Sequence, residues 1–351
     1  MTLVADDPAV REKSHRYRWL FFAFLVCVAG CQESPGTHKL QGATMGTTWN
    51  VTYTGSARPS QLKADIESVL AAVNGSMSTY LDESEISRFN ASGIGETSRV
   101  SSSFGAVLTA ALAVGERSDG AYDVTVGPLV DLWGFGAGSE ADWRMPSAER
   151  VAETLARVGQ NALIWDADSS TLARRKPVEL DFSSIAKGYA VDRIAEILES
   201  KGLSDFLVEV GGEMRMSGIS PRGDAWRIAI EKPIAGQRGV AQALELNDGA
   251  VATSGDYRNF FEHEGVRYSH TLDPRTGYPV THNLISVTVL HERCMIADAW
   301  ATALSVAGPD EALRLAAAND LAVYLMVREG DGVKSRVSPA FSARFGTMTN
   351  K

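Results

Sequence analysis

The chain has 351 residues, of which 44% are hydrophobic and 22% charged, with a formal net charge of -9. Those values suit a globular chain with a large core and exclude a disordered one. The acidic balance, with no face rich in Lys and Arg, argues against a nucleic-acid binder, whereas small polyanionic ligands stay open if a metal carries the positive charge.

At the N-terminus, Arg11, Lys13, Arg16 and Arg18 precede an apolar run from Trp19 to Gly30 that is too short to span a bilayer comfortably as a helix. It reads as a signal peptide, with an uncleaved anchor as the alternative. Its end, Val28-Ala29-Gly30-Cys31, resembles the lipobox at which bacterial lipoproteins are cleaved and acylated, so Cys31 is the expected lipidation site. Gln32 is not the aspartate associated with inner-membrane retention and leaves the choice of membrane open. Cys27 would leave with the signal, so Cys294 would be the one free cysteine of the mature domain and no intramolecular disulfide is expected. The organisation expected is a signal over residues 1–31, a spacer over 32–40 and a single domain over 41–351.

That domain opens over Gln41–Thr54 with a strand pair or a strand with a turn at Gly46. The segment Ala43-Thr44-Met45-Gly46 is a glycine turn on the plain view; on the functional view it sets polarisable Met45 against a flat ring. Leu62, Ile66, Val69, Leu70 and Val73 predict a helix that stops at a left-handed cap near Asn74-Gly75. Tyr80 follows, a half-buried core residue or a stacking platform. A second helix is predicted over Ser102–Ser118, stopped by Asp119-Gly120. Ala121-Tyr122-Asp123 then enters a strand and an aromatic-rich loop ending in Trp133-Gly134-Phe135-Gly136, where an Asp beside an aromatic suits a ribityl or ring-edge hydrogen bond.

A helix over Ser147–Val158 precedes strands over Ala162–Trp165 and Pro177–Phe182. The next stretch, Asp181-Phe182-Ser183-Ser184-Ile185-Ala186-Lys187-Gly188, joins strand to helix through small residues, aiming backbone N–H groups at bound phosphate with Lys187 as counter-charge. It lacks the glycine-lysine-serine/threonine order of a Walker loop. The helix Gly188–Lys201 leads to the strand Phe206–Val210 and the turn Gly211-Gly212, and strands dominate Trp226–Val289. Within them, Asp273-Pro274-Arg275-Thr276-Gly277 is a strong turn signal, and His270 just before it titrates near neutrality and can take a proton from a hydroxyl. Helices over Met295–Val306 and Pro309–Asn319 and a strand over Leu321–Val327 close the pattern. Asp298 and Thr302, one helical turn apart, project oxygens from one face, as a hard cation such as magnesium requires; an Asp interacting with the helix dipole is the plainer account. The absence of a long linker favours one compact α+β unit of two interlocked halves.

In this order the motifs resemble the ApbE family, the FAD:protein FMN transferases, from about Gln41 to about Val327. The resemblance implies a flavin site between the two halves, with FAD as substrate contacted by Met45, Tyr80, Ala121, Tyr122, Asp123, Asp181, Lys187 and Leu272. For magnesium it implies Ser184, Asp298, Thr302 and the backbone of Ala301. Where many members carry Gly-Gly this chain has Ser183-Ser184. The implied reaction moves FMN from FAD to a threonine hydroxyl of an acceptor protein through a phosphoester bond, releasing AMP. His270 is the candidate general base, with Asp298 able to share the task. Acceptors in the family point to subunits of flavin-carrying membrane redox complexes, and the lipobox to a lipid-anchored enzyme on the periplasmic side of a bacterial membrane. One rival uses the same site with water as nucleophile, a magnesium-dependent FAD pyrophosphatase giving FMN and AMP; another, of a different class, is a lipid-anchored flavin-binding protein without turnover, against which Asp298 and Thr302 argue.

Overall fold

The computed structural model describes residues 36–136, 145–232, 239–255, 260–263, 266–330 and 332–346, and from Thr37 onward the chain forms one compact unit. The expected signal peptide and the lipidated Cys31 lie outside the described residues. Strands β1 (Thr37–Thr44) and β2 (Thr47–Thr54) form the expected hairpin, but β1 begins at Thr37, inside the stretch expected as a spacer, because residues 37–40 pair with Val51–Thr54. Its two turn residues, Met45 and Gly46, both have positive φ, which matches the twist of a two-residue hairpin turn.

Helix α1 (Pro59–Met77) runs through Asn74-Gly75 instead of stopping there. Ser76 and Met77 are buried beyond the expected end, and Asn74 donates to Thr44 Oγ1 and to Leu70 O, so tertiary contacts carry the last turn. Helix α2 (Glu85–Ala91) is capped by Ser84, β3 is the short Ser98–Arg99, and α3 (Ser102–Arg117) ends at Asp119-Gly120 as predicted, both with positive φ. Where a strand and loop were expected after Ala121, the chain makes a turn and then the short helix α4 (Gly127–Leu132), with Pro128 in its first turn. Helix α5 (Ala148–Leu155) starts from a Ser147 cap. Strand β4 (Leu163–Asp166) pairs with β5 (Thr171–Arg174), which also takes β3. The predicted strand Pro177–Phe182 joins no sheet among the described residues. Its backbone is held by the Asn90 side chain on both groups of Leu180, by Asp181 N–H on Val124 O and by a single bridge between Val126 and Glu179.

Helix α6 (Ala186–Ser200) begins the second half, followed by β6 (Asp205–Val210), β7 (Glu213–Ser217), β8 (Trp226–Glu231), β9 (Val240–Leu246) and β10 (Gly249–Gly255). Then come two small hairpins, β11 (Phe260–His263) with β12 (Val266–Ser269) and β13 (Leu272–Asp273) with β14 (Tyr278–Pro279). Strand β15 (Leu284–His291), helices α7 (Cys294–Ala307) and α8 (Pro309–Ala318), strands β16 (Ala322–Glu329) and β17 (Gly332–Val337) and helix α9 (Pro339–Phe345) complete the described chain.

The main sheet is antiparallel, in the order β1-β2-β6-β7-β10-β15-β16-β17. One face packs on α1, α3, α6, α7 and α8 through a core that includes Trp49, Phe206, Ile194, Val287 and Trp300. The other face packs on the β8–β9 hairpin and α9 through Trp226, Ile228, Leu244, Leu290 and Phe341. The central strand β15 is therefore buried on both sides, and its sequence is a nearly continuous apolar run.

The two four-stranded halves of the sheet meet at its shortest ladder. Strands β7 and β10 pair over three residues, from Gly249–Met216 to Val251–Met214. Beyond that point β10 continues to Gly255 against β15, whereas β7 has ended at Glu213 in the Gly211-Gly212 turn. The sheet splits there, between its halves.

Candidate active site

A cavity of about 630 Å³ occupies the split, within the range of small-molecule sites. Its walls come from the α6 N-terminus, the Gly211–Met214 turn, one edge of β8, the end of β10, the segment His270–Pro274 and α7. Helices α6 and α7 meet beneath it at Gly188. A Cβ there would lie 2.5 Å from Cys294 O and 2.8 Å from Asp298 Cβ, so only glycine lets the helices approach this closely. The contact also directs Gly188 N–H onto Asp298 Oδ2 at 2.9 Å. On the rim, Gly211 has φ 61° and its Cβ position is crowded by Thr47 at 2.9 Å and Lys187 Cδ at 3.2 Å, while its N–H donates to Thr48 O. The β1–β2 turn therefore stands beside the cavity rim.

At the base lies a charged trio. Lys187 Nζ is 2.7 Å from Glu213 Oε1 and 4.0 Å from Asp298 Oδ1, and both acids are buried. Burial works against the Lys187 charge, but Asp298 and Glu213 together raise its pKa and hold it protonated. Burial first, and nearby Asp298 second, push the Glu213 carboxyl up to about 7 against the pull of Lys187. Burial likewise raises Asp298, opposed by Lys187 and the Gly188 N–H. Tyr122, buried in the wall, accepts a hydrogen bond from Ser184 Oγ at 3.0 Å, and burial raises its pKa so that the phenol stays protonated.

Of the residues singled out from sequence, the cavity brings together Ala121, Tyr122, Asp123, Asp181, Ser184, Lys187, His270, Leu272, Asp298 and Thr302. Both Asp123 oxygens are engaged locally, one by Thr125 and the other by Gln160 N–H, so this carboxylate also organises its own loop. Asp181 accepts Ser183 N–H, which shapes the turn into α6. His270 lies edge-on to Phe135, with ring centroids 6.3 Å apart. Three expected residues are outside the lining. Met45 occupies the hairpin turn and packs against the main core, Tyr80 is 72% exposed between α1 and α2, and Ala301 is buried within α7 beside Thr302. The residues not anticipated are Glu213 and Ser286, each with a buried oxygen that has no hydrogen-bond partner among the described residues. The Gly-Gly turn closing β6 was visible; the acid directly after it was the overlooked signal.

The donor set fits a hard divalent ion. Two buried carboxylates face one ammonium, one carboxylate oxygen has no hydrogen-bond partner among the described residues, and the hydroxyl residues Ser184 and Thr302 line the same cavity. No group of three or more His, Cys, Asp or Glu side chains suited to a metal occurs among the described residues.

Fold and cavity together define an α+β enzyme whose site joins acid, ammonium and hydroxyl groups at a split in an antiparallel sheet. The ApbE family model matches residues 45–325, and the chain belongs to that family. It is similar to the FAD:protein FMN transferase of Vibrio cholerae, 43% identical over 92% of this chain and 97% of that protein. It is also similar to the Escherichia coli K12 protein of the same name, 38% identical over 90% of this chain and 93% of the relative. The crystal structure of Pseudomonas stutzeri flavinyl transferase ApbE, apo form, superposes with a TM-score of 0.83 at 39% identity, covering 90% of this chain and 99% of that one. Flavin transferase ApbE from Vibrio cholerae gives 0.82 at 42% identity, with 88% and 99% covered.

Proposed function

We propose that this protein is an FAD:protein FMN transferase that acts at the split between the sheet halves. The observation that carries the reading is the convergence of Lys187, Asp298 and Thr302 in a cavity large enough for a substantial part of a dinucleotide, in a chain of this family. FAD is the substrate and a protein hydroxyl the acceptor. The acceptor oxygen forms a bond to the FMN phosphorus, the pyrophosphate bond to AMP breaks, and the hydroxyl proton passes to a base. His270, half-buried in the cavity wall, is the base we assign. Tyr122, Asp123, Asp181 and Leu272 orient the flavin nucleotide, and Lys187 faces its phosphates.

Magnesium is the ion we assign to Asp298, Thr302 and Ser184; when bound it neutralises charge developing on the leaving phosphate. Met45, in the β1–β2 turn, and Tyr80, on an exposed turn, are the further flavin contacts we assign. The acceptor residue we assign is a threonine of a flavin-carrying membrane redox subunit. The lipobox ending at Cys31 supports a lipid-anchored enzyme on the periplasmic side of the membrane.

The test is intact-mass spectrometry of a threonine-bearing acceptor domain incubated with FAD, magnesium and the chain from Gln32, with an Asp298→Ala control. A gain of one FMN that vanishes in the control and with chelator is expected. Release of free FMN and AMP with the acceptor unmodified would replace the transferase reading with a pyrophosphatase, and intact FAD would leave binding alone.

A further inference from the structure

Lys187 is shared unequally between two buried acids. Its ammonium makes contact with Glu213 at 2.7 Å and stops 4.0 Å short of Asp298 Oδ1. Asp298 Oδ2 is committed to Gly188 N–H, so Oδ1 is the oxygen that this carboxylate can offer to a ligand. We propose that Glu213 is a positioning residue that draws Lys187 off Asp298 Oδ1 and so keeps that oxygen open to a divalent cation. The inference rests on the assignment of Asp298 as a magnesium ligand.

The geometry around Glu213 fits that task. It sits at the start of β7, paired across the turn with Val210, and is 4% exposed. Gly211 roofs the pair: a Cβ there would be 3.2 Å from Lys187 Cδ and 3.5 Å from Glu213 Oε2, so the absence of a side chain leaves room for the ion pair. Glu213 Oε2 has no other partner among the described residues, so the carboxylate is not held in place by a separate hydrogen-bond network through that oxygen. Lys187 lies in the first turn of α6, next to Gly188, and its flexible stem leaves the ammonium a short movement from Asp298. Without the Glu213 charge, the ammonium would move onto Asp298, the other carboxylate it faces among the described residues, and a cation there would have to displace it.

The test is isothermal titration of magnesium into the full-length chain in detergent, without FAD, for the wild type, Glu213→Gln and the double variant Lys187→Met/Glu213→Gln. Glu213→Gln should weaken magnesium binding by about tenfold or more, as expected when an ammonium comes within contact distance of a ligand carboxylate. The double variant, with no ammonium left to compete, should return to within about threefold of the wild type. Equal weakness of the single and double variants would overturn the proposal, because Glu213 would then act through its own charge or as a direct ligand. Wild-type affinity in Glu213→Gln would overturn it while leaving the magnesium assignment intact, and a wild type that binds no magnesium would remove both. Should Glu213→Gln fail to fold by circular dichroism, Glu213→Asp carries the test: withdrawing the carboxylate by one methylene must also weaken binding, and unchanged affinity refutes the idea.

Discussion

Asp192 and Asp298 are buried carboxylates in the same contact between α6 and α7, and the chain treats them in opposite ways. Asp192 accepts the N–H groups of Cys294 and Met295 at 2.9 and 3.0 Å and pairs with Arg215 at 3.2 Å. Helix α7 has no side-chain cap of its own at Arg293, so α6 supplies one, and a negative charge meets the positive end of the helix dipole. Asp298, further along α7, has one backbone donor and a distant ammonium, and burial raises its pKa. A saturated carboxylate holds the helices together. An undersaturated one is poised to take a ligand, and the stability it forgoes is recovered only when that ligand binds.

Removing the saturated acid should have the largest effect on stability. Asp192→Ala leaves two buried helix N–H groups without their acceptor and Arg215 with Glu199 alone, and should cost roughly 3–5 kcal/mol in denaturant unfolding. At temperatures where the variant is folded, FMN transfer should be within a fewfold of wild type. Asp298→Asn inverts the pattern: transfer should fall by roughly 10²–10³, about 2.7–4 kcal/mol at the barrier, in single-turnover assays. Its thermal midpoint without metal should hold or rise, since the amide keeps an acceptor for Gly188 N–H and removes a buried charge. A large loss of stability in Asp298→Asn would erase the contrast.

Gly188→Ala should damage both ends at once. Its Cβ meets the Cys294 carbonyl and Asp298, so unfolding should shift by roughly 1–3 kcal/mol and magnesium binding should weaken together with it. The smallest effect concerns His291, whose Nδ1 accepts Arg293 N–H at 3.0 Å just before α7. Burial lowers its pKa from 6.5, so the folded chain binds this proton less readily than the unfolded chain. Its contribution is complete above pH 6.5 and is lost as pH falls through the lowered folded value. Relative to His291→Asn, the wild type should lose less than about 1 kcal/mol on acidification and nothing above neutrality, as read by urea titrations across pH.

The elements legible in the sequence are those made by local rules. The Met45-Gly46 hairpin, the Asp119-Gly120 stop of α3, the Ser147 start of α5, and helices α6, α7 and α8 follow from turn chemistry and apolar spacing. The cavity wall from Tyr122 through Lys187 to Thr302 was legible because the motifs carrying it are contiguous. The errors arose where distant parts override local ones. Asn90 takes the place of a strand partner for Leu180, and packing around Met77 extends α1 past Gly75.

By itself the sequence determined the family, the single cysteine of the described domain and the residue types able to meet a phosphate and a hard cation. The strand order, the split between β7 and β10, the Glu213–Lys187–Asp298 trio and the cap that Asp192 lends to α7 were decided only in three dimensions. The physical reason is range. Periodicity and turn preference act over a few neighbours, whereas the partner of a buried charge is whichever group the packed backbone brings within hydrogen-bond reach, and for Asp192 that group lies in another helix far along the chain.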